Sequence, residues 1–215
     1  MNERVLVLID GFNFYHRIEN HYKSTGQNLK WLNYRSLAQM IVGPEASLEK
    51  ILFFTAPPTH LKNPSKLERH SLYIRALNSV GVEVIQGNFK RKTFSAKIVV
   101  SVGRPEESIR IEKYEEKETD VNIAITLIEQ AFKDQFDHCL LFSVDTDLAP
   151  AVKMLKSNFG SSKRVTIVKP PGFSKYYGLL KIYNKAFELK IHQLVQHQFP
   201  QEIHTKRGII RSPYE

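Results

Sequence analysis

Four aspartates stand where they could do chemistry together. Asp10 closes the apolar run of VLVLIDGFN, Asp120 lies in EKETDVNIA, and Asp145 and Asp147 follow the apolar run of LLFSVDTDLAP. Like-charged carboxylates gathered in one pocket repel one another unless a cation neutralises them. Their types and placement read as a metal site, and hard oxygen donors suit Mg²⁺ or Mn²⁺, which accept substrate phosphate oxygens beside a few carboxylates. The histidines form no HExxH motif or Cys/His pairing, so zinc is not expected. The chemistry to expect is in-line displacement at a phosphate ester, in which one or two ions activate water and stabilise the leaving oxygen.

Each aspartate also has a plainer reading, so the elements that position it matter. Asp10 falls at the carboxyl end of the first apolar run, where open α/β sheets collect ligands near a topological switch point. Gly11 lets the chain turn there, and Asn13 offers a short polar side chain to the carboxylate or to a phosphate; the alternative is a strand-end aspartate capping a turn. Asp120 opens a segment whose apolar residues Val121, Ala124, Ile125, Ile128 and Phe132 recur at helical spacing, with Thr119 a natural N-cap. An aspartate in a first helical turn is favoured by the helix dipole without any metal. Asp145 and Asp147 precede another helical stretch, and either could be an N-cap.

Five short runs rich in Val, Ile, Leu and Phe, at 4–9, 51–56, 82–86, 138–143 and 164–168, suit strands buried on both faces. Helical patterns alternate with them at 34–41, 65–80, 119–132 and 148–156. That alternation predicts an α/β fold, a parallel sheet covered by helices. The expected organisation is one domain over 1–170, a helical extension over 171–200 that packs on it, and a polar tail from 201 to 215 that carries no assignable pattern. Within the extension, Leu179, Ile182, Tyr183, Phe187, Ile191 and Leu194 allow one or two helices. The stretch from about 88 to 116 breaks the alternation and reads as a β-hairpin insertion around a Gly103–Arg104–Pro105 turn signal. Its Lys90, Arg91, Lys92 and Lys97 make it either a basic flap beside the acids or a hairpin with charged, solvated edges.

The chain of 215 residues is 42% hydrophobic, which is enough for a core, and its 31 Lys and Arg against 22 Asp and Glu give a formal charge of +9. With a pI near 9.5 and a mean hydropathy of -0.32, it reads as a soluble protein with a polyanionic partner, nucleic acid before membrane. Lys66 and Arg69, with His60, His70 and Arg75 around Tyr73, form one candidate single-strand surface; a solvated helix face is the alternative. A single cysteine, Cys139, inside HCLLFS reads as an inert buried thiol, and MNERVLVLID offers no signal peptide. The expectation is a cytoplasmic protein with no membrane span; a homo-oligomer is compatible with the sequence but not specified by it. GxGxxG, Walker and GxSxG motifs are missing, and IDGFN holds one carboxylate where a haloacid-dehalogenase-type phosphatase wants two.

In their joint order, IDGFN, EKETDVNIA and FSVDTDLAPAV resemble the NYN domain family, a branch of the PIN-like metal-dependent nucleases, and within it the LabA-like bacterial proteins. The similarity spans roughly 4–170. It implies a three-layer sandwich with sheet order 3-2-1-4-5 and an acidic site at Asp10, Asp120, Asp145 and Asp147, supported by Asn13 and Ser143. The implied activity is Mg²⁺- or Mn²⁺-dependent (endo)ribonuclease action on RNA, with water attacking the phosphodiester. One departure is Val144 where the family commonly has glycine, a β-branched residue that narrows the backbone choices beside Asp145. Two other readings share the scaffold: a non-catalytic RNA-binding or regulatory module, and a DNA-directed nuclease.

Overall fold

The structure is a computed structural model that describes residues 2–97, 108–172 and 185–214. Its centre is strand β1, Arg4–Asp10, flanked in parallel by β2, Ser47–Thr55, and β6, His138–Phe142. Beyond β2 lies β3, Glu83–Gln86; beyond β6 lie β7, Arg164–Lys169, and β8, Lys185–Glu188, all parallel. The sheet order is therefore β3-β2-β1-β6-β7-β8. Because β4, Asn88–Lys97, and β5, Ser108–Lys117, form their own antiparallel ladder, β6 and β7 are the fourth and fifth strands of the sheet. The order 3-2-1-4-5 thus holds, with β8 added at the edge.

Side chains alternate across a strand, and β1 applies this rule without exception. Val5, Val7 and Ile9 enter one core with Phe14, Trp31, Leu37 and Leu77. Leu6 and Leu8 enter the other with Ile123, Leu127, Val152 and Leu155. The first core lies under α1, Gly11–Thr25, α2, Tyr34–Val42, and α3, Pro64–Ser79; the second lies under α4, Thr119–Phe132, and α5, Ala149–Phe159. Asp10 continues the Leu6 and Leu8 parity, toward the layer that carries α4 and α5.

The C-terminal part differs from its helical reading. Residues 185–188 pair with β7 from Thr166↔Lys185 to Lys169↔Glu188, because the open edge of β7 supplies a ladder that a local helical pattern cannot match. Among the described residues of that part only α6, Ile191–Gln196, is helical, while Leu179, Ile182, Tyr183 and the Gly103–Pro105 turn signal lie outside the described residues. The polar tail forms a hairpin of β9, Glu202–Thr205, and β10, Gly208–Arg211. Helix α1 has no counterpart among the helical patterns of the sequence: it starts directly at Gly11 and buries only Phe14 and Ile18 among its larger side chains. No helix among the described residues is long and apolar enough to cross a membrane.

Candidate metal centre

The carboxyl end of β1 meets that of β6 where the strand order reverses, the switch point at which open α/β sheets bind ligands. Ile9 pairs with Phe142, which brings Asp10 beside Ser143. Asp10 is 3% exposed, and both its oxygens are held: Oδ1 accepts the backbone N–H of Asn13 at 2.9 Å, and Oδ2 accepts the Ser143 hydroxyl at 2.9 Å. Asp10 is the N-cap of α1, as its capping reading expects. The two roles are compatible because a carboxylate has lone pairs left after accepting two hydrogen bonds.

Asp145 caps the short 3₁₀ turn Thr146–Leu148, accepting the Asp147 N–H at 2.8 Å, while its own N–H donates to Ser143 Oγ at 3.1 Å. Ser143 thus ties Asp10 to the Asp145 backbone. Val144 is buried at 3% exposure, so its side chain is withdrawn from solvent, and Asp145 still reaches the acidic group. Asp120 enters from the first turn of α4 and is the most open of the trio. Asp10, Asp120 and Asp145 each offer an oxygen, and these oxygens all lie within 4.8 Å of one another. Asp147 stands outside this compact group, exposed; its charge still raises Asp120.

The electrostatics are those of carboxylates gathered in a partly buried site, each opposing the ionisation of the others. Burial, reinforced by Asp120 and Asp145, pushes the Asp10 carboxyl up to about 6 against the pull of its two hydrogen bonds. Asp120 is raised too, first by loss of water around its carboxyl and then by Asp145 and Asp147. A fourth acid, Glu116 at the end of β5, is pushed up to about 7 by burial and then by Asp10 and Asp120. It accepts the Thr119 hydroxyl, which fixes it against the start of α4. Glu116 was not singled out in the sequence; its only signal was its place in EKETD, one turn's spacing ahead of Asp120 but within a hairpin strand.

The residues fit a hard divalent ion. Oxygens at about 2.1 Å from one Mg²⁺ can be at most about 4.2 Å apart, and the three carboxylate oxygens lie within 4.8 Å of one another. Asn13, whose N–H donates to the capping Asp10 carboxylate, leaves its side-chain Oδ1 buried without a hydrogen-bond partner. Such an atom is costly unless a ligand or water engages it.

The cations divide by strand parity. Residues directly opposite in an antiparallel pair share a face, so Phe89, Arg91, Tyr114 and Glu116 occupy one face of the β4–β5 hairpin. Lys90 and Lys92 occupy the other, away from Glu116, and Lys92 is paired there with Glu115 at 2.6 Å. Lys92 and then Lys117 hold the Glu115 carboxyl down at about 2. On the Glu116 face the hairpin therefore offers Arg91 and Arg110, and Arg91 lies 3.6 Å from Glu112. The side chain of Lys97 lies outside the described residues. On α3, Lys66 is exposed and Arg69 donates to Ser65 at 3.2 Å. Tyr73 points into the core: its hydroxyl donates to the Leu32 carbonyl at 2.8 Å and its ring meets Trp31 and Phe53.

Known proteins bear on this geometry. A 6-hydroxy-3-succinoylpyridine 3-monooxygenase of Pseudomonas putida (strain DSM 28022 / S16) is 27% identical over 192 residues, covering 78% of this chain; the match spans 59% of that protein's length. A solved protein of unknown function from Vibrio parahaemolyticus RIMD 2210633 aligns over 88% of this chain and 94% of its own, with TM-score 0.56 and 18% identity, a likeness of fold alone. The model of the NYN domain matches residues 4–177, which includes every acid of the cluster. The chain belongs to the NYN domain family, of the PIN-like superfamily, whose members are generally nucleases that use divalent metals.

Proposed function

We propose that this protein is a cytoplasmic ribonuclease that hydrolyses RNA phosphodiester bonds with Mg²⁺ or Mn²⁺ held by Asp10, Asp120 and Asp145. The observation that carries the reading is the convergence of those three carboxylates, within 4.8 Å, at the switch point of a sheet in a family of nucleases. A divalent ion bound there supplies Lewis-acid charge against the phosphodiester and makes water a better nucleophile. Asp10 is the fixed ligand, because Asn13 and Ser143 hold both its oxygens; Asp120 is the open one, free to adjust to substrate. Glu116, with its carboxyl raised to about 7, is placed to hold or release a proton beside the cluster near neutral pH. Asp147 adds negative charge at the rim. Lys66, Arg69 and Arg91 contact RNA phosphates, while the outward Lys90 and Lys92 add to the long-range attraction of a chain with formal charge +9.

The test is incubation of labelled single-stranded RNA with the protein and with Asp145→Asn, in Mg²⁺, in Mn²⁺ and in chelator. Cleavage is expected only with metal. The Asn variant should lose more than the roughly 10–100-fold that removal of an outer hydrogen-bond partner of a ligand costs. Binding without cleavage would replace the reading with an RNA-binding or regulatory module, and preference for DNA would redirect it to a DNA nuclease. Supplying 6-hydroxy-3-succinoylpyridine in a parallel assay asks whether the activity named for the Pseudomonas relative extends to this chain.

A further inference from the structure

Beside the acidic group runs a line of aromatic rings that the reading above does not use. Phe12, two residues past Asp10, meets His16 at 4.3 Å and Phe89 at 6.1 Å between ring centroids. Phe89 meets His60 at 4.1 Å, and His60 stacks on Tyr114 at 5.0 Å with 25° between the planes. The line thus crosses four separate segments: α1, β4, the 3₁₀ turn Thr59–Leu61 and β5.

The line adjoins the acidic group at two of its rings: Phe12 lies two residues past Asp10, and Phe89 stands directly opposite Glu116 in the β4–β5 ladder. The rings are not ordinary core. Phe12 remains 38% exposed and Tyr114 39%, where the core rings Phe14 and Phe142 are fully buried. His60 Nδ1 is buried with no hydrogen-bond partner, so its ring is held through its faces by Phe89 and Tyr114.

We infer that the exposed rings Phe12 and Tyr114, backed by Phe89 and His60, form a base-stacking platform that takes the nucleobases of single-stranded RNA next to the phosphate engaged by the carboxylates. Every base presents a π-face, so stacked rings bind a strand without reading its sequence, and a duplex, whose bases are already stacked, cannot use them. The surroundings fit a polyanion: Arg91 lies directly opposite Tyr114 in the ladder, and the charge of Lys66 is felt at His60. Burial lowers the proton affinity of both His16 and His60, which keeps these rings neutral at physiological pH and suited to stacking. The inference depends on the nuclease reading only for where the strand is cut, since the platform binds whether or not the site cleaves.

The test is binding of an oligoribonucleotide carrying 2-aminopurine, in chelator so that no cleavage occurs, to the full chain and to Tyr114→Ala and Phe12→Ala. The fluorophore should be quenched on binding to the unaltered protein. Each alanine variant should bind at least about 5-fold more weakly with less quenching, and Tyr114→Trp should restore both. A duplex of the same sequence should bind more weakly and be indifferent to the substitutions. Melting temperature and Mn²⁺ affinity check that the variants remain folded around an intact acidic group. Unchanged affinity and quenching in both folded alanine variants, or preference for the duplex, overturns the platform. If both alanine variants prove unfolded, Tyr114→Leu and Phe12→Leu, which keep bulk without a π-face, decide in the same way. Stacking without cleavage in metal would leave the platform standing and remove the nuclease; cleavage with indifferent ring variants would do the reverse.

Discussion

At the residue scale, Asp10 carries opposite demands. It is the best-fixed ligand candidate and a buried carboxylate among other carboxylates, so its ionised form is unfavourable until a cation arrives. Its folded-state value near 6 lies above the ordinary 3.8. A raised acid stabilises the metal-free fold at low pH, where folded and unfolded chains are both protonated. That contribution is lost as pH rises from about 4 to about 6, and the penalty is complete above. In chelator, Asp10→Asn should therefore be more stable than the unaltered protein at pH 8, on the order of 2–3 kcal/mol. The gain should shrink toward pH 5, as read by chemical denaturation at the two pH values. The same variant should lose metal-dependent cleavage, separating ligand charge from fold. The four aspartates were visible in the sequence because each sits beside an apolar run, and three of them converge. Glu116 was hidden because only hairpin register brings it near Asp10, and Asp147 looked equivalent to Asp145 because spacing alone does not say which carboxylate turns inward.

At the scale of elements, the junction between β1 and α1 positions the site, and it depends on the missing side chain of Gly11. A Cβ there would lie 2.4 Å from Phe53 Cζ and 2.7 Å from the Phe54 carbonyl oxygen, and the carbonyl belongs to β2 and cannot swing away. Gly11→Ala should therefore push α1 off the sheet, at a cost of about 1–3 kcal/mol. Because the Asn13 N–H that holds Asp10 lies in the first turn of α1, metal affinity should fall together with stability. Urea unfolding and Mn²⁺ titration would measure both; a fall in stability alone would mean that Asp10 keeps its place without α1. The sequence hinted at a tight turn at Gly11 but not at a helix starting on it, since Phe14 and Ile18 make too narrow an apolar stripe to stand out. By contrast, α4 and the four inner strands β2, β1, β6 and β7 were legible, the apolar residues of the strands being set by burial on both sides of the sheet. Strand β8 was not, because its pairing comes from the edge of β7 rather than from its own four residues.

At the scale of the whole molecule, the two faces of the sheet have separate duties. The face that carries α4 and α5 bears Asp120 and Asp145, whereas the opposite core is closed by the C-terminal hairpin. Ile210 is buried there at 3% exposure, Ile203 packs partly against the same core, and Tyr214 meets Trp31 at 6.2 Å between centroids. Composition could not reveal this, since a polar tail with three isoleucines has no helical or strand signature until it is laid against Trp31. Trp31 is the sole tryptophan of the chain and is 4% exposed, with its Nε1–H donated to the Pro200 carbonyl at 3.0 Å. Ending the chain after Pro200 keeps that hydrogen bond but removes the core-packed Ile203, Ile210 and Tyr214. At about 1.5–3 kcal/mol for each fully buried large apolar side chain, the loss should be on the order of 3–5 kcal/mol, seen as a lower melting temperature. Emission from Trp31 should shift to the red as water reaches the ring. Mn²⁺ affinity, measured at a temperature where the shortened chain is folded, should stay near that of the intact protein, because the ligands hang from β1, α4 and the β6–α5 turn. A tail that merely covered the surface would leave the emission where it was; a tail that organised the acidic group would take the metal affinity with it.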